Sequence, residues 1–299
     1  MSTLALVTDA VSLPIDYDMP PLMAACETVG IDAEVCLWED ENVDWSRFDA
    51  VVFRSPWTWA EKLPEFLAFC ERIAAVTELV TPMPLVRWAL DKRYLVDIAA
   101  RGVPVIPLRL VEPGVDPLSA VQDFLAAHPE AAEFVVKPTD GCYSKDVQRY
   151  ARPLEAEASR HVARLLGNGS HVILQPYVQS VDRHGETDLT FFDGVYSHAI
   201  HKGAMLMPDG TVHVPTLDFR KARAAAADER AVASAALAAA VSHLGLERPL
   251  VCGRVDLVRG ADGQPMVLEM ELCEPSLNLP FSEDGALRFA QALAERLKP

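Results

Sequence analysis

The stretch from Val251 to Leu279 reads VCGRVDLVRGADGQPMVLEMELCEPSLNL. Two apolar runs, Leu250–Val258 and Pro265–Leu272, flank Gly260-Ala261-Asp262-Gly263, which predicts a β-hairpin with a longer loop. Yet these apolar strands carry Arg254, Asp256, Glu269 and Glu271. Side chains alternate along a strand, so Arg254 and Asp256 share a face, as do Glu269 and Glu271. Antiparallel pairing then brings three carboxylates together beside one guanidinium. Such crowding in a semi-buried place is costly without a cation, and oxygen-only ligands suit Mg²⁺ or Mn²⁺. The other reading of the same residues is a half-exposed hairpin with its charges on a solvated face.

The rest of the chain constrains what such a hairpin serves. With 299 residues, half of them apolar, the sequence predicts a globular protein of about two domains. A net charge of −16 argues against nucleic-acid and anionic-membrane partners, so an anionic ligand needs a local basic pocket. Six cysteines without a close pair predict reduced thiols and a cytoplasmic protein. The first residues lack a basic secretory start, and Ala231–Val241 is too short to span a bilayer.

Toward the N-terminus, Leu4–Thr8, Ala33–Trp38 and Ala50–Arg54 predict strands. They are separated by a helix from Asp18, its expected N-cap, to Gly30 and followed by a helix over about Ala60–Val76. This order predicts a small α/β domain with a largely parallel sheet. In such sheets ligands bind beyond the carboxyl ends of strands, which makes Asp16, Tyr17 and Arg54 candidates for substrate contact. Arg54 has a second reading, stacked on Trp57 or Trp59 at the surface. Pro82-Met83-Pro84 breaks the chain, and one helix carrying Lys92 is expected to run to Gly102. The strand Glu133–Lys137 closes on a lysine that points inward. The loop after it, with Gly141, Ser144 and Lys145, is either a phosphate cradle or an ordinary hairpin loop. A strand over His171–Tyr177 ends in Gln175 and Pro176, where free backbone groups can meet a planar base. Asp193-Gly194 predicts a tight hairpin followed by Lys202. An irregular loop over Met205–Thr216, a helix over Ala222–Leu246 and a last helix over Asp284–Leu297 complete the chain.

Taken in order, Lys92, FVVKP with Lys137, the Gly/Ser loop, LQPYV, GET, the Asp-Gly hairpin with Lys202, RVD and EME resemble the ATP-grasp superfamily of carboxylate–amine ligases. The resemblance covers roughly Lys92 to Asn278. It implies an α/β protein with the ATP-grasp fold. Its parts would be an N-terminal α/β parallel-sheet domain (1–82), a small central lid (83–178) and a C-terminal α+β domain with the metal site (179–299). It also implies ATP and two Mg²⁺ ions. Lys92 and Lys137 would hold phosphates with Ser144, while Gln175, Pro176, Tyr177 and Val178 would form the adenine hinge and Asp182 would meet the ribose. Lys202 and Arg254 would neutralise the moving phosphoryl group, with Asp256, Glu269 and Glu271 as metal ligands. The sequence departs from the family at Glu271, where many members carry Asn; this leaves room for Mn²⁺. It departs again at Gln175, where Glu is common. Glu274, Ser276 and Asn278, just beyond the carboxylates, join Asp16, Tyr17 and Arg54 as substrate candidates.

Within the superfamily the whole length, including RSPWTWAEKL and ELCEPSLNL, resembles cyclo-ligases that close the ring of D-cycloserine. That implies O-ureido-D-serine as a small amino-acid substrate, an acyl phosphate on the path, and loss of CO₂ and ammonia. Other readings stay open: a dipeptide-forming ligase, a non-catalytic ATP-binding regulator, or a metal-dependent hydrolase that ignores ATP. A symmetric homodimer is the expected assembly.

Overall fold

The structure is a computed structural model that describes residues 2–213 and 216–298; part of the irregular loop expected over Met205–Thr216 lies outside the described residues. The chain opens with β1 (Ser2–Thr8), α1 (Met19–Thr28), β2 (Ile31–Leu37), β3 (Ala50–Ser55), α2 (Leu63–Ala74) and β4 (Glu78–Leu79). The four strands form a parallel sheet in the order β2-β1-β3-β4. Leu4 to Val7 and Ala50 to Phe53 are almost fully buried, which is why β1 and β3 read as unbroken apolar runs. α2 begins later than expected because Trp57–Glu61 forms a 3₁₀ turn and Pro64 sits in the first turn of the helix.

The single helix expected up to Gly102 is two, α3 (Met83–Ala89) and α4 (Tyr94–Ala99). The Asp91 carboxylate accepts from the Arg93 N–H, and the Lys92 N–H donates to the Thr139 carbonyl, so the chain turns between them. Lys92 therefore sits in a turn that touches the loop after the next sheet's lysine strand. β5 (Arg109–Val111), α5 (Pro117–Ala127), β6 (Glu133–Pro138), β7 (Gln148–Ala151), α6 (Glu155–Gly167) and β8 (Val172–Pro176) follow. Their strands pair antiparallel in the order β5-β8-β6-β7. α5 and α6 cover one face around Phe124, Phe134, Val162 and Leu174. The sequence reading did not place α5, although Asp116 caps it through the Ser119 N–H and Pro117 stands in its first turn.

The third sheet comes after the short α7 (Val181–His184). It is built from β9 (Glu186–Phe192), β10 (Val195–Lys202), β11 (Arg220–Arg223), β12 (Cys252–Arg259) and β13 (Pro265–Glu271), ordered β11-β10-β9-β12-β13 and antiparallel throughout. Asp193 and Gly194 both have positive φ, 47° and 76°, as a two-residue hairpin turn requires. The alanine-rich helix is α8 (Ala227–Leu244); Ala222, its expected start, instead pairs with Ile200 in edge strand β11. α8 and α4 cover one face of the sheet around Phe191, Val255, Leu257 and Met270. The last helix, α9 (Gly285–Arg296), packs on α1 and shares a core with β1 and β3 through Phe289 and Leu293.

We propose the division 1–82, 83–178 and 179–299 for the three units, noting that Leu85, Tyr94, Leu95 and Ile98 of α3 and α4 lie in the core of the third sheet. Among the described residues the six cysteines are free, and no helix is long and apolar enough to cross a membrane.

Candidate active site

Because α8 and α4 take the apolar face of the third sheet, alternation turns Glu186, Asp188, Lys202, Arg254, Asp256, Glu269 and Glu271 toward the opposite face. Register pairs Arg254 with Glu271, and Asp256 with both Glu269 and Asp188. This face is not a solvated one. Asp256 is fully buried and Arg254 is 4% exposed, which overturns the half-exposed reading of the hairpin for those two residues.

Burial makes each charge dependent on its neighbours. The Arg254 guanidinium meets Asp256 twice, at 2.8 Å each, and reaches Glu271 at 2.7 Å. The Lys202 ammonium lies 2.8 Å from Glu186, 3.4 Å from Asp188 and 3.7 Å from Asp256. Burial raises the Asp256 pKa, but Arg254 and Lys202 outweigh it and hold the carboxyl below its ordinary value. Asp188 is pushed up to about 8 by burial and by Asp256, and burial likewise raises Glu186 and Glu271. Five carboxylates thus face two cations, Lys202 and Arg254.

Asp256, Glu269 and Glu271 offer oxygens within 4.8 Å of one another, and so do Glu186, Asp188 and Asp256. Lys202 already occupies the second group. Glu269 and Glu271 line the cavity, and Glu269 has no hydrogen bond or ion pair among the described residues. Arg254 pairs with two members of the first group, but Glu269 stays open to the cavity, and an all-oxygen set with one unpaired carboxylate fits a hard divalent cation. Glu186 and Asp188 were not among the expected site residues. Their signal was the same alternation, in GETDLT, that marked the hairpin.

The opposite wall of the cavity is basic. Lys137, at the end of β6, is 5% exposed and lines the cavity, as its strand position predicted. Burial pushes its pKa down to about 8; Lys92 adds to the fall and Glu269 opposes it. Lys92 donates from its ammonium to the Gly141 carbonyl at 2.8 Å. In the loop after β6, Tyr143, Ser144 and Asp146 all have positive φ, a strained backbone for residues other than glycine. The loop is docked on the first unit: Lys145 pairs with Glu61 at 2.9 Å, and the Tyr143 ring meets Trp57 edge-on at 5.4 Å.

At the expected hinge, Gln175 is buried and donates to the Ile106 carbonyl, while Gln175 to Val178 all line the cavity. The Tyr177 N–H already donates to the Glu133 carbonyl, so it is not one of the free backbone groups expected there. Asp182 accepts from the Tyr177 hydroxyl at 2.6 Å and from Arg149 at 2.9 and 3.0 Å. Arg149 also lies 3.5 Å over the Tyr177 ring, a contact the sequence reading did not anticipate.

The substrate candidates separate into two sets. Glu274 and Ser276 line the cavity. Glu274 accepts from the Trp59 indole at 2.6 Å, and burial with Glu271 nearby pushes its pKa up to about 7. The Ser276 carbonyl accepts from Arg254. Asn278 and Tyr17 meet each other and Arg220. Arg54 and Asp16 are buried away from the cavity wall. Arg54 has no exposed surface, pairs with Asp16 and Asp18 at 3.4 Å each, and donates to the Pro275 carbonyl. It is thus neither stacked on tryptophan at the surface nor free for an incoming carboxylate. Asp18 stands at the N-cap position of α1, as expected, but its carboxylate does not cap the helix; it accepts from the N–H groups of Leu277, Asn278 and Leu279. It fastens the loop after β13 to the first unit.

Residues 4–81 match the family profile described as D-cycloserine synthetase DcsG, N-terminal domain. The chain is 83% identical to cycloserine biosynthesis protein DcsG of Streptomyces lavendulae over 299 residues, all of both chains. It superposes on a crystal structure of D-cycloserine synthetase DcsG with a TM-score of 0.98, 83% identity, and coverage of 99% of this chain and 100% of that one. It matches a D-alanine–D-alanine ligase from Bacillus anthracis with a TM-score of 0.66 at 15% identity, over 99% of this chain and 97% of the other; that likeness concerns the fold.

Proposed function

The chain belongs to the DcsG family of cycloserine biosynthesis, ATP-dependent ligases of ATP-grasp type, and we propose that it closes O-ureido-D-serine into D-cycloserine. The observation that carries this reading is the full-length likeness to the Streptomyces lavendulae protein.

In the proposed reaction the substrate carboxylate attacks the γ-phosphorus of ATP, and ADP leaves. The ureido nitrogen bonded to oxygen then attacks the acyl phosphate carbonyl and expels phosphate, closing a five-membered ring. Hydrolysis of the remaining carbamoyl group consumes water and releases CO₂ and ammonia. Phosphoryl transfer depends on charge neutralisation and alignment more than on covalent help. Lys92 and Lys137, with Ser144, are our candidates for holding phosphates, and Gln175 to Val178 for the adenine. Asp182, held by Arg149, is our candidate for the ribose. Lys202 and Arg254 would neutralise the transferred group; the fork of Arg254 suits its oxygens. Divalent metal, for which we propose two Mg²⁺ ions on Asp256, Glu269 and Glu271, supplies further neutralisation and a template when bound. Glu274 is our candidate for the substrate ammonium. Ring closure within one molecule gains from proximity, so the protein need only hold a folded conformer.

The test is ADP release by purified protein with Mg-ATP and O-ureido-D-serine, with product mass read in the same tube. ADP together with D-cycloserine is the expected outcome. ADP without the ring, or only after a second amino acid is added, replaces cyclisation with an intermolecular ligation. No ADP with any amino acid removes the ligase reading.

A further inference from the structure

Three of the cations that line the cavity, Lys92, Lys137 and Arg220, have no carboxylate in ion-pair range among the described residues. Arg254 pairs with Asp256 and Glu271. Arg220 begins β11 and lines the cavity, and among the described residues it makes no ion pair. Its guanidinium meets only neutral oxygens, the Tyr17 hydroxyl and the Asn278 side-chain carbonyl, the latter at 2.5 Å. Its Nε is buried and has no acceptor among the described residues. Burial, with Arg254 beside it, pushes its pKa down to about 10.

Asn278 has the complementary defect. Its Oδ1 accepts from Arg220 and from Tyr17, which fixes which way the amide faces. That leaves Nδ2 as a buried donor without an acceptor among the described residues, on a residue with no exposed surface. The backbone there is left-handed, φ 57° and ψ 35°, and the Asp18 carboxylate holds it so through three successive N–H groups. Such a conformation at a non-glycine residue persists where its surroundings impose it. Buried donors are normally satisfied, and a buried guanidinium without an anion is costlier still. A carboxylate entering the cavity beside Arg220 would supply the missing charge and an acceptor for the guanidinium.

We propose that Arg220, oriented by Tyr17 and Asn278, binds the carboxylate of the amino-acid substrate. This rests on the ligase reading above, but needs only an amino acid with a free carboxylate, whichever one the protein activates. The nucleotide phosphates are the other anions at hand. They are assigned to Lys92 and Lys137, which lie with the Gly141 loop, whereas Arg220 is tied to Tyr17 and to the loop after β13.

The experiment is steady-state ADP release by Arg220→Met, Arg220→Lys and Tyr17→Phe, with amino acid and ATP each varied against saturation by the other. Arg220→Met is expected to raise the amino-acid KM by roughly thirtyfold or more, as loss of a buried charge contact does. Its KM for ATP should stay within about twofold, and Arg220→Lys should recover part of the loss. Tyr17→Phe, which keeps the ring, should raise the amino-acid KM several-fold. An unchanged amino-acid KM in Arg220→Met overturns the inference. So does a raised KM for ATP alone, which would give Arg220 to the nucleotide. If the wild type turns over another amino acid instead of O-ureido-D-serine, the substrate identity falls, and the same comparison with that amino acid decides Arg220. Failure of Arg220→Met to fold leaves the decision to the other two variants.

Discussion

Lys137 and Lys202 are both lysines at strand ends, and each is 5% exposed. Lys137 has no carboxylate in ion-pair range among the described residues, and burial pushes its pKa down to about 8. Lys202 is buried to the same degree, yet Asp188, Glu186 and Asp256 outweigh the burial and hold its pKa above the ordinary lysine value. Residue type and burial are equal, so the neighbours decide. Lys137 stands to gain from an arriving anion. Lys202 already has carboxylate partners in the free protein, so besides the phosphoryl role proposed for it, it holds a carboxylate cluster together.

The most forceful way to break this contrast is to remove each charge in turn. Lys202→Met leaves Glu186, Asp188 and Asp256 short of a cation and should cost about 3–5 kcal/mol, the usual result of orphaning a buried charge. Lys137→Met removes a charge that lacks a partner and should leave stability unchanged or raise it. Urea melts of the two variants decide the matter, and equal losses would erase the distinction. Next in size, Arg254→Ala should lower kcat by about 100-fold or more while ATP still binds, as expected for a group that acts on developing charge. Wild-type turnover would remove Arg254 from the mechanism.

A smaller effect sharpens the Lys137 side. Its pKa near 8 means that it is charged below pH 8 in the free protein and must take up a proton to bind phosphate above it. ATP affinity should therefore be level below pH 8 and fall about tenfold by pH 9, since each pH unit past the pKa removes most of the charged form. Fluorescence titrations at pH 7 and pH 9 measure this, and Lys137→Met should show no such fall. The smallest effect is expected at the exposed Lys145–Glu61 pair that docks the loop. Lys145→Ala should raise the KM for ATP by no more than about twofold, because exposed pairs contribute little. A tenfold rise would mean that Lys145 meets the nucleotide itself.

The site was unevenly legible in the sequence. Alternation made the hairpin readable, because a charge at every second place in an apolar strand has few explanations. The same alternation is present at Glu186 and Asp188, but GETDLT is short, which leaves its acidic face unmarked. Lys92 was misplaced on a helix because the apolar spacing runs on through Leu90 and Tyr94. What interrupts it is a tertiary contact, the bridge between Asp91 and Asp140. The partners of Arg54 and of the Asp18 carboxylate escape the sequence for a related reason. A short-range signal, the end of a strand or the start of a helix, competed with partners far away in the chain, Asp16 for the one and Leu277 to Leu279 for the other.

Local order was within the sequence's reach: parallel strands as apolar runs, the Asp-Gly hairpin, the carboxylates on one face of a strand and the lysine that closes β6. These follow from periodicity and backbone preference, which act over a few residues. Which charges are paired and which are left waiting was decided only in three dimensions. A buried charge takes its energy from whatever lies within a few ångströms, and for Lys137, Lys202 and Arg220 those neighbours come from other strands and loops.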